Sequence, residues 1–325
     1  MQALVLDQDG GVRLKQDHAE PRARTGEVVI RPLLMGVCST DLELAKGYMG
    51  FAGVLGHEFV GEVIEATDES GKAWLGKRVV GEINAVCGAC DLCLKGLREH
   101  CRSRTVLGIQ GRDGVFAERF SLPVKNLHEV PGHVSDEQAV FVEPLAAAYQ
   151  VVRQLTVEGR PYVTVLGDGR LGLLCAQVLG ELNATVRLIG KHPEKLALAE
   201  KWKVRHRLLG DVGLRQDQDM VIDCTGSAEG LTTALGMVRP RGTIVLKTTV
   251  AVSSYPEPVD LSRVVIDEIT VIGSRCGPFG MALDALARDA VDVVSLISRR
   301  AKLSSGGEIL AAAKQPGVIK VLVTP

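Results

Sequence analysis

The pattern of apolar and polar positions divides the chain into two parts of different character. Up to about residue 142, short β-like runs such as EVVIRPLL, EFVGEVIEA and KRVVGEI are broken by Gly, Pro and Asp, which is typical of a mostly antiparallel, barrel-like domain. From about residue 160, apolar strands alternate with helical stretches, as in YVTVL, LGLLCAQVLGEL, ATVRLI and PEKLALAEKWK. This alternation predicts a parallel sheet with crossover helices, and VIKVLVTP predicts a closing strand.

The length of the chain indicates the number of domains, and its charge indicates the kind of ligand. A chain of 325 residues is expected to form two domains. Its 38 basic and 39 acidic residues form no long run of either sign, so we expect a small-molecule ligand and neither nucleic acid nor a membrane surface. The N-terminus lacks the pattern of a signal peptide and no apolar run approaches the ~18 residues of a membrane span, so we expect a cytoplasmic protein.

Four of the eight cysteines form a cluster with the spacing Cys87-x2-Cys90-x2-Cys93-x7-Cys101. Disulfides are rare in a reducing cytoplasm, and C-x2-C pairs are typical of zinc sites. Iron–sulfur ferredoxins place the fourth cysteine after three residues and before proline, whereas here Arg102 follows a gap of seven. Structural zinc is favoured, with an iron–sulfur cluster, disulfides and unligated thiols as alternatives. Four protein ligands leave no open position, so catalysis is expected elsewhere.

A glycine-rich turn, GDGRLG, follows the strand predicted at residues 162–166 and precedes a predicted helix. Glycines in the pattern G-x-G-x-x-G let the backbone approach a pyrophosphate at the helix N-terminus. The alternative is an ordinary glycine-rich turn. The predicted dinucleotide-binding residues of the turn are Gly167, Asp168, Gly169, Arg170, Leu171 and Gly172.

The end of the next predicted strand indicates which dinucleotide would bind. A strand that binds the ribose hydroxyls of NAD should end in Asp or Glu, but this one ends at Gly190, followed by Lys191 and His192. A glycine leaves room for a 2′-phosphate, and the basic neighbours could neutralise it. NADP is therefore favoured over NAD, unless Lys191 and His192 are only solvated loop residues.

Three further fragments hold groups that can bind zinc: GVCSTD with Cys38, LGHEFVGEV with His57 and Glu58, and FVEPLAAA with Glu143. Each alone has a common structural explanation. Together with the cysteine lobe, GDGRLG and VIDCTGS, they make the chain resemble the zinc-dependent medium-chain dehydrogenases, which act on alcohols, polyols and sugars. The resemblance runs essentially from end to end.

The resemblance implies an α/β fold of two domains. A GroES-like, β-rich catalytic domain would occupy residues 1–143, with a structural zinc lobe at about 87–101, and a Rossmann domain with a doubly wound parallel sheet would occupy 144–275. Residues 276–325 would return to the catalytic domain. The family further implies two zincs per subunit, a homodimer or homotetramer, and hydride transfer between a primary or secondary alcohol and a nicotinamide cofactor. A member that binds cofactor and zinc without turnover is the alternative.

The resemblance also assigns the catalytic zinc ligands. Cys38 and His57 match two near-invariant ligands, Glu143 matches the third, and Glu58 matches an acid that ligates directly in some members. Three protein ligands leave a position for the substrate oxygen.

Other matched positions imply proton transfer and cofactor contacts. Thr40 matches the hydroxyl that passes on the alcohol proton, and Asp41 is expected to orient His57. Glu43 stands where many members carry the histidine that completes the proton relay. The remaining expected cofactor contacts are Thr225, Gly226, Lys247, Thr248, Ser274 and Arg275.

Overall fold

The chain folds into two units, which a computed structural model describes over residues 1–156, 158–249 and 259–325. Unit 1 comprises Met1–Glu143, Leu283–Arg288 and Leu296–Pro325, and unit 2 comprises Pro144–Ala282 and Asp289–Ser295. Residues 276–282, assigned from the sequence to the returning segment, thus fall in unit 2. None of the helices in the described ranges has both the length and the apolar character needed to cross a membrane.

Unit 1 is built mainly from antiparallel strands. They are β1 Ala3–Leu6, β2 Val12–Lys15, β3 Glu27–Gly36, β4 Gly53–Val54, β5 Glu58–Ala66, β6 Arg78–Gly81, β7 Asn84–Ala85, β8 Thr105–Leu107, β9 Gly111–Arg112, β10 Phe120–Pro123, β11 Leu127–Glu129, β18 Ile297–Lys302 and β19 Lys320–Thr324. The largest sheet has the order β11-β6-β5-β3-β19-β18, with β10 also paired to β3. Smaller sheets have the orders β2-β1-β4 and β7-β8-β9.

The helices of unit 1 are short. They are α1 Ser39–Leu44, α2 Glu69–Lys72, α3 Asp91–Leu94, α4 Asp136–Ala139 and α11 Glu308–Ala313, while α5 Val142–Gln154 begins at the end of the unit. Local caps define several of them; at α4, for example, the Ser135 hydroxyl accepts the N–H of Gln138. Strands therefore dominate this region, in agreement with the mostly antiparallel domain expected from the sequence.

Strand β3 pairs with both β5 and β19, and this brings the start of β5 close to β19. Gly36, the last residue of β3, is opposite Glu58 of β5 on one side and Leu322 of β19 on the other. The C-terminal strand is thereby held beside the start of β5. Residue 320 consequently lies beside residue 58, although the two are far apart in the sequence.

Unit 2 contains a six-stranded parallel sheet with helices between its strands. The strands are β12 Tyr162–Leu166, β13 Thr185–Gly190, β14 Arg205–Leu208, β15 Gln218–Asp223, β16 Val238–Leu246 and β17 Thr270–Gly273. The helices are α6 Arg170–Gly180, α7 Pro193–Lys201, α8 Glu229–Met237 and α9 Ser262–Ile266, while α10 Phe279–Ala287 begins in unit 2 and ends in unit 1. The order β14-β13-β12-β15-β16-β17 confirms the predicted doubly wound sheet.

The switch point of this sheet lies at β12. Leu166, the last residue of β12, pairs with Ile189 of β13 on one side and with Asp223 of β15 on the other. In open parallel sheets ligands bind outside the carboxyl ends of the strands at such a point. The glycine turn after β12 is therefore placed where a dinucleotide would bind.

Candidate metal centres and cofactor site

The four clustered cysteines of unit 1 come together as a set of sulfur ligands. Their Sγ atoms are 4.0 Å apart for Cys87 and Cys93, 3.9 Å for Cys90 and Cys101, and 3.5 Å for Cys87 and Cys101. A tetrahedral zinc with Zn–S bonds of about 2.3 Å requires sulfurs about 3.8 Å apart. The lobe therefore fits zinc, with all four positions filled by protein.

The backbone around the lobe favours thiolates. The N–H groups of Arg102 and Cys93 point to the sulfur of Cys90 and lower its pKa to about 6. Arg102 is held by two hydrogen bonds from its guanidinium to the Asp91 carboxylate, at 2.9 and 3.0 Å. Burial raises the pKa of Cys93 to about 12, and its contacts with the other thiols add to this. Zinc binding would thus displace the proton that Cys93 retains.

A second cluster in unit 1 contains three different kinds of ligand atom. The sulfur of Cys38, a ring nitrogen of His57 and a carboxylate oxygen of Glu58 lie within 4.8 Å of one another. Cys38 caps the start of α1, and Glu58 opens β5. His57 and Glu58 are almost completely buried, at 2% and 0% exposure. A half-buried thiol beside a buried imidazole and a buried carboxylate, all this close together, fits a zinc ion.

Asp41 organises this second cluster. Its carboxylate is fully buried and accepts the backbone N–H of Cys38 at 2.8 Å and that of Gly56 at 3.2 Å. It also lies 3.4 Å from Nδ1 of His57. Burial alone would lower the pKa of His57, but the charges of Asp41 and Cys38 outweigh it and raise that pKa well above its usual value. The surroundings of the ring therefore favour a positive charge.

The neighbours of Cys38 on α1 differ in exposure. The hydroxyl oxygen of Thr40 lies 3.6 Å from the sulfur of Cys38, so the hydroxyl borders the cluster. Glu43 is exposed, and its carboxylate accepts a hydrogen bond from the ammonium group of Lys46 at 2.7 Å.

Lys320 is a member of the cluster that the sequence analysis missed. It is 1% exposed, its ammonium group pairs with the carboxylate of Glu58, and it donates to the Val37 carbonyl at 3.4 Å. Burial lowers the pKa of Lys320 to about 8, although the charges of Cys38 and Asp41 oppose this shift. The signal was a single charged residue within the apolar run VIKVLV.

The glycine turn of unit 2 has the geometry of a dinucleotide site. Gly167 has a φ of +105°, and a Cβ there would lie 2.8 Å from the carbonyl oxygen of Cys224. A Cβ on Gly172 would overlap the carbonyl of Gly167. Helix α6 begins directly after Gly169, so its free N–H groups lie at the turn. This arrangement can hold a pyrophosphate.

Family models match segments of both units of the chain. Residues 24–132 match the alcohol dehydrogenase GroES-like domain, and residues 171–292 match the zinc-binding dehydrogenase family. L-threonine 3-dehydrogenase of Streptomyces avermitilis is 32% identical over 92% of each chain. The chain belongs to the zinc-dependent medium-chain dehydrogenases.

Two further relatives of this dehydrogenase cover its whole length. Sorbitol dehydrogenase of Halalkalibacterium halodurans is 29% identical over 100% of this chain and 99% of its own. A solved structure with bound NADP, described as a zinc-binding dehydrogenase of Sinorhizobium meliloti, is 29% identical, with a TM-score of 0.87 over 100% of this chain and 99% of its own. The predicted family and its two-domain fold are confirmed, and the protein is an oxidoreductase.

The remaining ligand expected from the sequence lies at the end of unit 1. Glu143 is in the first turn of α5 and is half-buried. It is not part of the set of atoms that lie within 4.8 Å of one another. Its role as the third zinc ligand of this dehydrogenase stays a prediction.

The other expected cofactor contacts of the dehydrogenase form a network after β15, β16 and β17. Lys247 donates to the hydroxyl of Ser274 at 3.1 Å and to the carbonyl of Arg275 at 2.7 Å. The hydroxyl of Thr248 accepts the N–H of Gly226 at 2.9 Å. Thr225 donates its hydroxyl hydrogen to Asp223 at 2.7 Å. The six residues thus meet at the carboxyl edge of the sheet.

The end of β13 differs from the sequence-based interpretation. Gly190 was expected to leave room for a 2′-phosphate, but a Cβ on Gly190 would overlap the carboxylate of Asp168, which occupies that space. Asp168 is 5% exposed. Lys191 is exposed, and the side chain of His192 is half exposed. The expected open space is therefore absent, while the two basic side chains remain accessible.

Proposed function

We propose that this dehydrogenase transfers hydride between an alcohol carbon of a polyol or sugar and NADP. The observation that carries the proposal is the cluster of Cys38, His57 and Glu58 around one small volume. An acidic ligand set and the low aromatic content of 4% favour a hydroxyl-rich substrate over a bulky apolar one. The likeness to a sorbitol dehydrogenase supports the same class.

Different residues of the chain would bind the zinc, orient its ligands and accept the alcohol proton. Cys38 and His57, together with Glu143 or Glu58, would hold the catalytic zinc, and Asp41 would fix the ring of His57. When bound, zinc would supply Lewis-acid chemistry at the substrate oxygen, and the nicotinamide would supply a hydride acceptor. The hydroxyl of Thr40 would receive the alcohol proton, because it borders the sulfur of Cys38.

The proposed preference for NADP rests on the two accessible basic side chains after β13. Lys191 and His192 could both approach a 2′-phosphate at the tip of the second strand. The likeness to a solved structure with bound NADP supports the same cofactor.

An assay of the purified protein with polyols, sugars and simple alcohols tests this function. We expect reduction of NADP with a polyol or sugar, with kcat/KM for NADP exceeding that for NAD by about tenfold or more, as one or two phosphate contacts can supply. Intact binding of NADPH with no oxidation of any alcohol would instead indicate a non-catalytic binding protein. A higher kcat/KM with NAD would contradict the cofactor preference.

We also propose that the protein forms a homodimer through the outer edge of β17. Within the described residues β17 is the last strand of its sheet, and the apolar side chains of Val265 and Ile266 nearby are 79% and 76% exposed. A second copy related by a two-fold axis could continue the sheet and cover these side chains.

We expect a dimer by analytical ultracentrifugation and a shift to monomer for Val265→Asp. Leu94→Asp, a change at an equally exposed apolar residue of the zinc lobe, is the control and should leave the dimer intact. A monomeric wild-type protein would refute the proposal.

A further inference from the structure

One acidic residue inside the glycine turn joins that turn to the loop after β13. The Asp168 carboxylate accepts the backbone N–H groups of Lys191 and His192 through Oδ2, both at 2.7 Å. Its other oxygen, Oδ1, lies 2.9 Å from Nδ1 of the His192 ring. Three donors therefore converge on one nearly buried carboxylate.

Gly190 makes this arrangement possible. A side chain at position 190 would overlap the Asp168 carboxylate, so only glycine admits it at the end of β13. The next two residues are then held in place by their backbone, and His192 also by its ring. Because Nδ1 of His192 lies against Asp168, Nε2 is the ring nitrogen left to meet a ligand.

We propose that Asp168 is a positioning residue for the 2′-phosphate of NADP. It would act through His192 and Lys191, whose accessible side chains lie at the strand end where the adenosine ribose of a dinucleotide is bound. An imidazolium that donates to Asp168 from Nδ1 can donate to a phosphate from Nε2. This inference rests on the proposed preference for NADP.

Removal of the negative charge of Asp168 should weaken the binding of a more negative cofactor, which is the opposite of a simple charge effect. If the Asp168 carboxylate acted only as a nearby negative charge, its removal would strengthen the binding of the more negative cofactor, NADPH. If it acted as the acid that binds the ribose hydroxyls, its removal would weaken NADH binding above all. A positioning role predicts instead that NADPH binding weakens and NADH binding changes little.

The test is fluorescence titration of NADPH and NADH into the wild type, Asp168→Ala and Asp168→Asn. We expect the Kd for NADPH to rise about tenfold in Asp168→Ala and the Kd for NADH to change less than about threefold, a loss typical of one charge-assisted contact. Asp168→Asn should lie between, because its amide oxygen can still accept the two backbone N–H groups.

Two further variants separate positioning from a general structural role. His192→Ala should weaken NADPH binding. Adding Asp168→Ala to this variant should weaken binding less than Asp168→Ala weakens it in the wild type, because Asp168 acts in part through the His192 ring. Asp219→Asn is the matched control. Asp219 also accepts a backbone N–H, that of Tyr162 at 2.7 Å. It lies near the amino end of β15, however, whereas Asp168 follows the carboxyl end of the neighbouring strand β12. This variant should leave both affinities unchanged.

Three results would overturn the role of Asp168: tighter NADPH binding in Asp168→Ala, a selective loss of NADH binding, or equal losses for both cofactors. Additive effects of Asp168→Ala and His192→Ala would also contradict it. A failure of the cofactor proposal is distinguishable, because it would show in the wild type as tighter binding of NADH than of NADPH.

Discussion

Replacing Cys38 with serine is expected to abolish turnover and leave the fold intact. The sulfur of Cys38 is one of three ligand atoms gathered within 4.8 Å, and a hydroxyl binds zinc much more weakly than a thiolate does. Without zinc the site would lack its Lewis acid, so we expect kcat/KM to fall by about a thousandfold or more. Steady-state assays and metal counting by mass spectrometry would measure both effects.

The matched control for this prediction is Cys93→Ser in the other cluster. The wild type should hold two zincs per subunit and each variant one. Cys93→Ser should lower the thermal midpoint, because its lobe is closed by four sulfurs and has no position for a substrate. Cys38→Ser should leave the midpoint close to that of the wild type. Unchanged activity in Cys38→Ser would refute the assignment of the catalytic zinc.

The parts of the site that depend on local spacing were predictable from the sequence. The spacing of the four cysteines within one short segment already favours sulfur ligation of one ion. The turn GDGRLG, between a predicted strand and a predicted helix, likewise determines its own geometry. In the structure Gly167 has a positive φ and α6 begins after Gly169, as such a turn requires.

The parts that depend on tertiary pairing were not predictable in the same way. Lys320 reaches the Val37 carbonyl across 283 residues of sequence, because β19 pairs with β3 next to β5. Asp168 fills the space beside Gly190 only because β12 and β13 are neighbours in parallel register. In both cases the sequence shows one charged residue or one glycine, whereas the partner is set by the sheet order.

Replacing Lys320 with methionine is expected to destabilise the metal-free protein strongly. Lys320 and Glu58 are 1% and 0% exposed, and their charged groups are paired. Removing one partner of a buried ion pair leaves the other charge without compensation, which typically costs about 3–5 kcal/mol. Methionine keeps much of the volume of the lysine, so the loss would reflect charge more than packing. Urea unfolding of chelator-treated wild type and variant measures the difference.

The double variant Lys320→Met/Glu58→Gln serves as the control for this loss. It removes both charges, so it should recover much of the stability that Lys320→Met loses in the same metal-free background. Zinc provides a further check. If Glu58 ligates the ion, zinc supplies the missing positive charge, and the destabilisation by Lys320→Met should shrink in the zinc-loaded protein. A metal-free Lys320→Met protein as stable as the wild type would show that the pair contributes nothing to folding.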